Sequence, residues 1–418
     1  WISLAALVAT LLVSCTSSIN PGLLAIVFAW VIGVYVAPAF GQSIGAKQVM
    51  AGFPTELFLT LVGVTFLFSQ AKVNGTLEQI STRAVRACKG NAGLVPLAFF
   101  LLALAIASIG AGNIAAAALV APMAMATAGR SGIPAFLMTI MVAHGAIAGA
   151  LSPFAPTGVI ATNLLNQMGL SGHEWHAYVN NLIANAGVAL AGYLAFGAWR
   201  LFRKRAVEDT AAETSGPAPP LSFERSQSIT LALIALVIVS VVGFKVHVGL
   251  SATTAGLVLT LLRLADEKEA IRAMPWNVIL MVCGVTVLTS LLERTGGTAL
   301  FTSLLARWST PRSVIPVVAF VTGLISVYSS TSGVVLPTFL PIVPGLVKQL
   351  GAVSPMAVAS AMLVGGHLVD SSPLSTIGAL CVASASPHED RRVLFNKVLA
   401  WGLSMTVVGA LVCYLWFG

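Results

Sequence analysis

The sequence predicts an all-α polytopic membrane protein with two inverted repeats, each of five transmembrane helices, a re-entrant hairpin and one broken helix. Its composition sets the class, because 57% of the residues are hydrophobic and only 9% are charged, against about 25% charged in soluble domains. The repeat is visible in two segments that share Pro, Gly, Val, Thr, Leu and Ser at the same spacing: PTELFLTLVGVTFLFS at 54–69 and PWNVILMVCGVTVLTS at 275–290.

The apolar segments fall into two sets of seven, and most are long enough to cross a hydrocarbon core of about 30 Å. They cover roughly residues 3–16, 20–38, 53–71, 93–109, 113–128, 135–165 and 178–203, then 228–243, 248–263, 274–292, 312–328, 332–348, 355–381 and 393–417. Residues 1–205 are therefore predicted as the first repeat and residues 228–418 as the second. Residues 206–227 are polar and rich in Pro, which is typical of a loop between halves and predicts a cytoplasmic linker.

Segments four and five of each set are short, and only a few small polar residues separate them. Each pair is predicted to form a hairpin that enters and leaves on one side, at about 93–128 and about 312–348. Non-helical backbone at membrane depth needs partners from the protein or a wet cavity, and the glycine and hydroxyl residues at both tips meet that need.

The sixth segment of each set, at about 135–165 and about 355–381, is unusually long and is interrupted by glycine and proline. Gly149 and Pro156 share their spacing with Gly366 and Pro373. Because proline in mid-span breaks the hydrogen-bond ladder, both segments are predicted to be discontinuous helices.

Five spans per half is an odd number, so the second half is expected to be inverted relative to the first. With both termini outside, the inside loops and helix ends hold 16 of the 22 Lys and Arg residues, as the positive-inside rule requires. This charge bias supports the orientation but does not test the hairpins. If each hairpin were instead two helices that both cross the membrane, the loops would lie on the same sides.

Several other classes of function are disfavoured. The basic residues form no stripe with interleaved aromatics, which argues against a nucleic-acid partner. No GxxxxGK loop occurs, which argues against an ATP-driven pump. The five cysteines are scattered, and the HEWH run at 173–176 lacks the HExxH spacing, so neither a disulfide framework nor a metal site beyond a coupling Na⁺ is expected. No cofactor is expected either.

A hairpin tip beside a broken helix offers helix N-termini that suit an anion and unwound carbonyls that suit a cation. No Lys or Arg lies at mid-span near the breaks. Hydroxyls, amides and backbone groups are therefore expected to hold an anionic substrate, which is the chemistry of a carboxylate symporter.

This plan resembles the ion transporter superfamily, in particular its divalent anion/sodium symporters, with the MatC-type malonate and dicarboxylate carriers as the nearest subgroup. Those symporters carry Ser-Asn-Thr at both hairpin tips. Here the second tip, Ser330-Thr331-Ser332, keeps hydroxyls without the Asn, and the first tip, Gly112-Asn113-Ile114, keeps only the Asn. The resemblance implies a homodimer in the bacterial inner membrane, in contact with lipid, whose transport domain moves as an elevator against a scaffold.

The resemblance also implies site residues. Substrate is expected to contact Asn113, Thr157, Thr331, Ser332 and Thr376. One cation site is expected around Gly112, Asn113, Thr157 and Asn163, and the other around Ser330, Thr331, Ser332, Asp370 and Ser375. The alternative for each hydroxyl is an interhelical hydrogen bond with no further role.

Asp370 is the sharpest single candidate, since an ionisable group within a span is a functional hypothesis by default. It would ligate sodium or carry a proton, and the alternative is a carboxylate that caps a helix N-terminus. Glu56 is expected at the membrane interface, and His144 and His367, close to the breaks, are either proton sites or packed histidines.

The sequence thus predicts a secondary-active symporter of small carboxylates, such as malonate or a C4 dicarboxylate, coupled to sodium or protons. The alternatives are a carrier of another small anion (arsenite, a monocarboxylate or a sulfonate), a channel, or an intramembrane enzyme. No catalytic set is recognisable within the spans, so an enzyme is not expected.

Overall fold

The computed structural model describes residues 1–16, 19–86, 91–196, 201, 224–327, 331–351, 353–386 and 389–418. All regular elements in these ranges are helical, so the predicted all-α class is confirmed. Most of the predicted linker lies outside the described residues, and residues 224–227 belong to the following helix or its cap.

The described residues of the first half form ten α-helices. They are α1 (Ile2–Thr16), α2 (Pro21–Val31), α3 (Ala46–Met50), α4 (Thr55–Val73), α5 (Thr76–Arg86), α6 (Leu94–Ile106), α7 (Gly112–Ser131), α8 (Ala135–Ala148), α9 (Pro156–Gln167) and α10 (Glu174–Ala195). A π-helical turn, Ala107–Ala111, joins α6 to α7, and short turns at Ile32–Val36 and Ala37–Phe40 extend α2.

The described residues of the second half contain eleven α-helices. Its helices are α11 (Arg225–Phe244), α12 (Val248–Leu261), α13 (Glu267–Ala273), α14 (Trp276–Arg294), α15 (Gly297–Arg307), α16 (Val314–Ser326), α17 (Leu336–Phe339), α18 (Val343–Leu350), α19 (Pro355–Val369), α20 (Thr376–Ala383) and α21 (Arg391–Phe417). A π-helical turn, Thr331–Val335, precedes α17, and the turn Leu340–Ile342 links α17 to α18.

Within the described ranges, six helical segments are long and apolar enough to cross a membrane, and five shorter apolar helices accompany them. The long segments are Pro21–Phe40, Thr55–Val73, Leu94–Ser131, Trp276–Arg294, Thr331–Leu350 and Arg391–Phe417. An integral membrane protein is the class that these helices support. The inverted orientation of the halves and the re-entrant path of the hairpins stay predictions.

Helices of the two halves pack closely against each other at glycines. The predicted repeat segments form α4 and α14, and each begins after a proline N-cap, Pro54 or Pro275. Helix α4 packs on α12, from the other half, and α14 packs on α2. A methyl group placed on Gly63 of α4 would overlap the backbone of Gly249, and one on Gly284 of α14 would overlap that of Gly22. Small residues at such crossings let membrane helices approach closely.

Both predicted helix breaks are present. The first separates α8 from α9 between Ala148 and Pro156, and the second separates α19 from α20 between Val369 and Thr376. The two breaks also share a close backbone contact. A methyl group on Gly158 would meet the carbonyl of Ser152, and one on Gly378 would meet that of Ser372. These two contacts lie 220 residues apart in the chain, whereas Gly149 and Pro156 precede Gly366 and Pro373 by 217 residues.

The broken helices bring the halves together a second time. Helix α9 of the first half packs against α4 and α17, whereas α20 of the second half packs against α7 and α8. The paired helices α6 and α7 contact each other and α8. These contacts carry the first tip, between α6 and α7, towards α4 and α9.

Candidate functional site

A cavity of about 160 Å³ lies where the first tip meets α4, α9 and the start of α14. Among the described residues, its polar lining is Thr65, Ser69, Lys72, Asn113, Thr157 and Ser332. The rest of its lining is mainly apolar and includes Phe68, Leu77, Ile114, Ala118, Pro156, Ile160, Pro275 and Val278. An apolar pocket with a few convergent polar groups is typical of a small-molecule site.

Two glycines shape the first tip. Gly110 has φ 127° and Gly112 has φ 81°, conformations that other residues rarely adopt. A side chain on Gly110 would collide with the ring of Phe68 on α4, and one on Gly112 would come within 3.0 Å of the Pro156 ring. The absence of both side chains lets the tip lie directly on α4 and α9, and this brings Asn113 to the cavity.

Four polar side chains at the cavity have donors without partners. Asn113 is buried, and its Oδ1 accepts a hydrogen bond from the backbone N–H of Ile114 at 3.0 Å. Among the described residues, no hydrogen bond involves Asn113 Nδ2 or the hydroxyls of Thr157, Ser332 and Ser69. All four residues line the cavity, so these donors are available to a polar ligand that enters it.

The electrostatics of the cavity favour an anion. The first turns of α7 and α9 line it, with Gly112, Asn113 and Ile114 from one helix and Pro156 and Thr157 from the other. Free N–H groups and the helix dipole make such turns attractive to negative charge. Lys72 is the only charged residue among the described residues of the lining.

A second polar cluster surrounds Asp370. Its carboxylate Oδ1 accepts hydrogen bonds from Thr331 Oγ1 at 2.6 Å and from Ser326 Oγ at 3.3 Å. Ser326 and Thr331 also contact each other, and Ser375 Oγ donates to the backbone carbonyl of Asp370. All four residues are buried, so a carboxylate and two hydroxyls meet away from solvent, next to the break between α19 and α20.

The other predicted site residues lie outside these two groups. Asn163 is half-buried, and its Oδ1 accepts a hydrogen bond from Gln167 Nε2 on the same helix. Thr376 is exposed at the start of α20 and is absent from the cavity lining. Thr331 belongs to the Asp370 cluster through its hydroxyl. Ser330 lies outside the described residues.

The histidine near the first break is fully bonded. His144 Nδ1 lies 2.9 Å from Asn185 Oδ1, and Trp401 Nε1 donates to His144 Nε2 at 2.9 Å. This is the packed arrangement, in which a neutral imidazole bridges α8, α10 and α21. His367 differs, because its Nδ1 contacts the Leu363 carbonyl while its buried Nε2 finds no partner among the described atoms.

The remaining ionisable candidates lie at the periphery. Glu56 is exposed and lies 3.5 Å from His247 Nε2, as expected for a residue at a helix end. His173 and His176 contact each other through their rings. In the part of the chain that the structure describes, no group of three or more His, Cys, Asp or Glu side chains has the placement of a metal site.

Sequence reasoning missed the contribution of α4 to the cavity. Thr65, Ser69 and Lys72 stand at positions i, i+4 and i+7, which is one face of a helix. That polar stripe is a signal in the sequence itself. Its direction was not predictable, because only the packing of the first tip on Phe68 shows which neighbour this face meets.

The comparisons with known proteins agree with a transporter. Residues 1–150 match the family described as "Dicarboxylate carrier protein MatC N-terminus". No curated protein matches the chain.

Two solved structures match almost its whole length. The YdaH transporter of Alcanivorax borkumensis is 15% identical with a TM-score of 0.61, over 95% of this chain and 98% of that one. MtrF of Neisseria gonorrhoeae, one of a class of antimetabolite efflux pumps, is 13% identical with a TM-score of 0.62, over 98% of this chain and 97% of that one. These similar proteins are carriers or pumps rather than enzymes. The resemblance to MatC-type carriers is thus confirmed over residues 1–150, and the chain as a whole has a fold found in membrane transporters.

Proposed function

We propose that this protein is a secondary-active symporter of small carboxylates, most directly dicarboxylates such as malonate or a C4 acid. The observation that carries the proposal is the cavity at the first tip, where unpaired amide and hydroxyl donors and two helix N-terminal turns surround an apolar space. Donors without acceptors, in a lining whose described residues include no Asp or Glu, suit an organic anion. The description of the family matched by residues 1–150 supports a dicarboxylate.

Asp370 is proposed as the site of the coupling cation, sodium or a proton. Its carboxylate and the hydroxyls of Thr331 and Ser326 are oxygen ligands of the kind that hard cations take. The same carboxylate is the group that a coupling proton would occupy. Burial makes an unneutralised carboxylate costly, so binding of a cation and relief of that cost go together.

Coupling follows from the order of residues at the second tip. Thr331 donates to Asp370, and the next residue, Ser332, lines the cavity. A cation that holds Thr331 therefore fixes Ser332 for the substrate. Because coupling between two sites is reciprocal, bound substrate strengthens cation binding by the same factor.

The two halves are unequal at this point. With equivalent positions 220 residues apart, the residue of the first half that corresponds to Asp370 is Ala150. The first break therefore lacks a carboxylate, and Thr157 beside it lines the cavity together with Asn113 of the first tip. We assign the first tip and Ser332 to the substrate, and Asp370 with Thr331 and Ser326 to the cation.

The proposal is tested by uptake of radiolabelled malonate and succinate into proteoliposomes, with sodium and pH gradients imposed separately. Saturable uptake driven by one gradient is the expected result and names the coupling ion. Non-saturable flux that ignores both gradients would indicate a channel. Absence of uptake of either acid under any gradient would overturn the dicarboxylate assignment. Export, which the description of MtrF suggests, is tested with vesicles preloaded with the labelled acid.

Asp370→Asn tests the cation site in the same assay. The amide keeps the shape of the carboxylate and its acceptor oxygen but removes the charge, so gradient-driven uptake is expected to lose its cation dependence while the protein stays folded. Asp266→Asn is the matched control, since Asp266 caps α13 through a hydrogen bond from Glu269 N–H and Asn caps equally well. Unchanged coupling in Asp370→Asn would exclude this carboxylate.

A further inference from the structure

Besides the polar residues at the tips and at the start of α9, the cavity has a second polar wall on α4. Thr65, Ser69 and Lys72 lie along one face of α4, and all three line the cavity. Seven residues separate the first from the last, which at 1.5 Å per residue is about 10 Å. Along this wall Thr65 and Ser69 are buried and Lys72 is exposed.

Lys72 is the exposed member of this polar wall. It belongs to the last turn of α4 and is exposed. Among the described residues it forms no ion pair, and no Asp or Glu accompanies it in the described lining. An ammonium group in the last turn of a helix has a structural use as a partner of the helix dipole. That use alone does not explain why the one charged residue of the described lining belongs to a cavity whose other polar groups are hydroxyls and an amide.

Resting on the proposed function, we propose that Lys72 binds a second carboxylate of the substrate and so makes the carrier prefer dicarboxylates to monocarboxylates. One carboxylate meets Asn113 and Ser332 at the tips and Thr157 at the start of α9, and the other meets the ammonium group of Lys72 on α4. A flexible lysine acts as a point charge with three donors, so it accepts acids of somewhat different length. Lys72 thereby discriminates between substrates with two carboxylates and substrates with one.

The test compares succinate with its monomethyl ester, which has the same carbon skeleton but one charge fewer. Purified wild-type, Lys72→Gln, Lys72→Arg and Lys268→Gln proteins are reconstituted, and each compound competes against radiolabelled succinate. Lys268, exposed on α13, is the matched control for loss of a positive charge. A hydrogen bond to a charged group corresponds to about tenfold or more in affinity.

In Lys72→Gln we expect the KM for succinate to rise by about tenfold or more, while inhibition by the monomethyl ester changes less than about twofold. Lys72→Arg keeps the charge and is expected to keep most of the preference, and Lys268→Gln is expected to match wild type. A purely structural role for Lys72 would weaken both compounds equally and overturn the proposal. Lys72→Cys provides a second route, because an aminoethyl thiol reagent restores a positive charge on the folded protein and should restore succinate affinity.

The failure of this inference is distinct from failure of the proposed function. Wild-type protein that transports neither malonate nor succinate sinks both. If wild-type protein transports succinate and Lys72→Gln has the same ratio of succinate affinity to ester affinity as wild type, only the role of Lys72 is refuted. Failure of the aminoethyl reagent to restore succinate affinity in Lys72→Cys also counts against that role.

Discussion

The glycine crossings predict that an added methyl group has opposite effects at two positions. In Gly63→Ala, the new Cβ on α4 would overlap the carbonyl of Gly249 on α12, closer than real Cβ atoms come to backbone. The backbone of α12 cannot rotate away as a side chain would, so the two helices must separate. In Gly187→Ala, on the exposed face of α10, the new Cβ would meet nothing within 4 Å.

The magnitudes follow from two opposing terms. Replacing a helix-interior glycine by alanine favours the helix by about 0.8–1.0 kcal/mol. Overpacking a tight contact costs about 1–3 kcal/mol, occasionally more. Gly187→Ala has only the first term, whereas Gly63→Ala has both. The free energies of unfolding of the two variants should therefore differ by about 1–3 kcal/mol, with Gly63→Ala the less stable.

The assay is thermal unfolding of the purified proteins in detergent, heated at one fixed rate and followed by size-exclusion chromatography, because membrane proteins commonly unfold irreversibly. Gly63→Ala is expected to melt below Gly187→Ala, and Gly187→Ala at or above wild type. Gly284→Ala, at the equivalent crossing with Gly22, should behave like Gly63→Ala. Equal melting of Gly63→Ala and Gly187→Ala would refute the reasoning that backbone contact at this crossing holds α4 to α12.

Two further predictions concern buried hydrogen bonds. Thr331→Val removes the donor 2.6 Å from the Asp370 carboxylate and is expected to weaken the apparent affinity for the coupling cation by about tenfold or more, measured as the cation dependence of uptake. The control is Thr322→Val, because the Thr322 hydroxyl donates to carbonyls of its own helix. Equal effects of the two changes would contradict the assignment of Asp370 to the cation. Trp401→Phe leaves His144 Nε2 without its donor and is expected to lower stability, measured by thermal unfolding, by about 1–3 kcal/mol. Trp416→Phe, on an exposed part of the same helix, is the control and is expected to keep wild-type stability. Wild-type stability of Trp401→Phe would show that the hydrogen bond to His144 contributes little.

Hydropathy located the spans well because their length is set by the membrane. The predicted segments at 53–71 and 274–292 became Thr55–Val73 and Trp276–Arg294. The 11-residue helices Thr76–Arg86 and Gly297–Arg307 were missed, since short segments with polar residues carry little of that signal. The prolines and glycines at the breaks predicted where the helices stop, but not which positions correspond, because that depends on contacts such as Gly158 with Ser152.

The candidate site was predictable where local sequence and tertiary position coincide. Asn113, Thr157 and Ser332 were expected at a tip or a break, and all three line one cavity. Thr376 and Lys72 show the limit of the method. Thr376 begins a helix at a break yet is exposed, and Lys72 lies near no break yet faces the cavity. Which side of a helix meets a cavity is decided by the packing of distant segments, and neither composition nor spacing encodes it locally.

The crossings of α4 with α12 and of α14 with α2 also constrain how the protein is made. Gln70 on α4 donates a hydrogen bond to the carbonyl of Gly256, which follows 186 residues later in the chain. When the first half leaves the ribosome, α2 and α4 are therefore inserted without their main partners and expose their glycine faces to lipid. The first half alone keeps the packing of α8 on α6, α7 and α10 but lacks the main partners of α2 and α4. A chain cut between residues 206 and 223 should yield stable protein only when both fragments are synthesised in the same membrane.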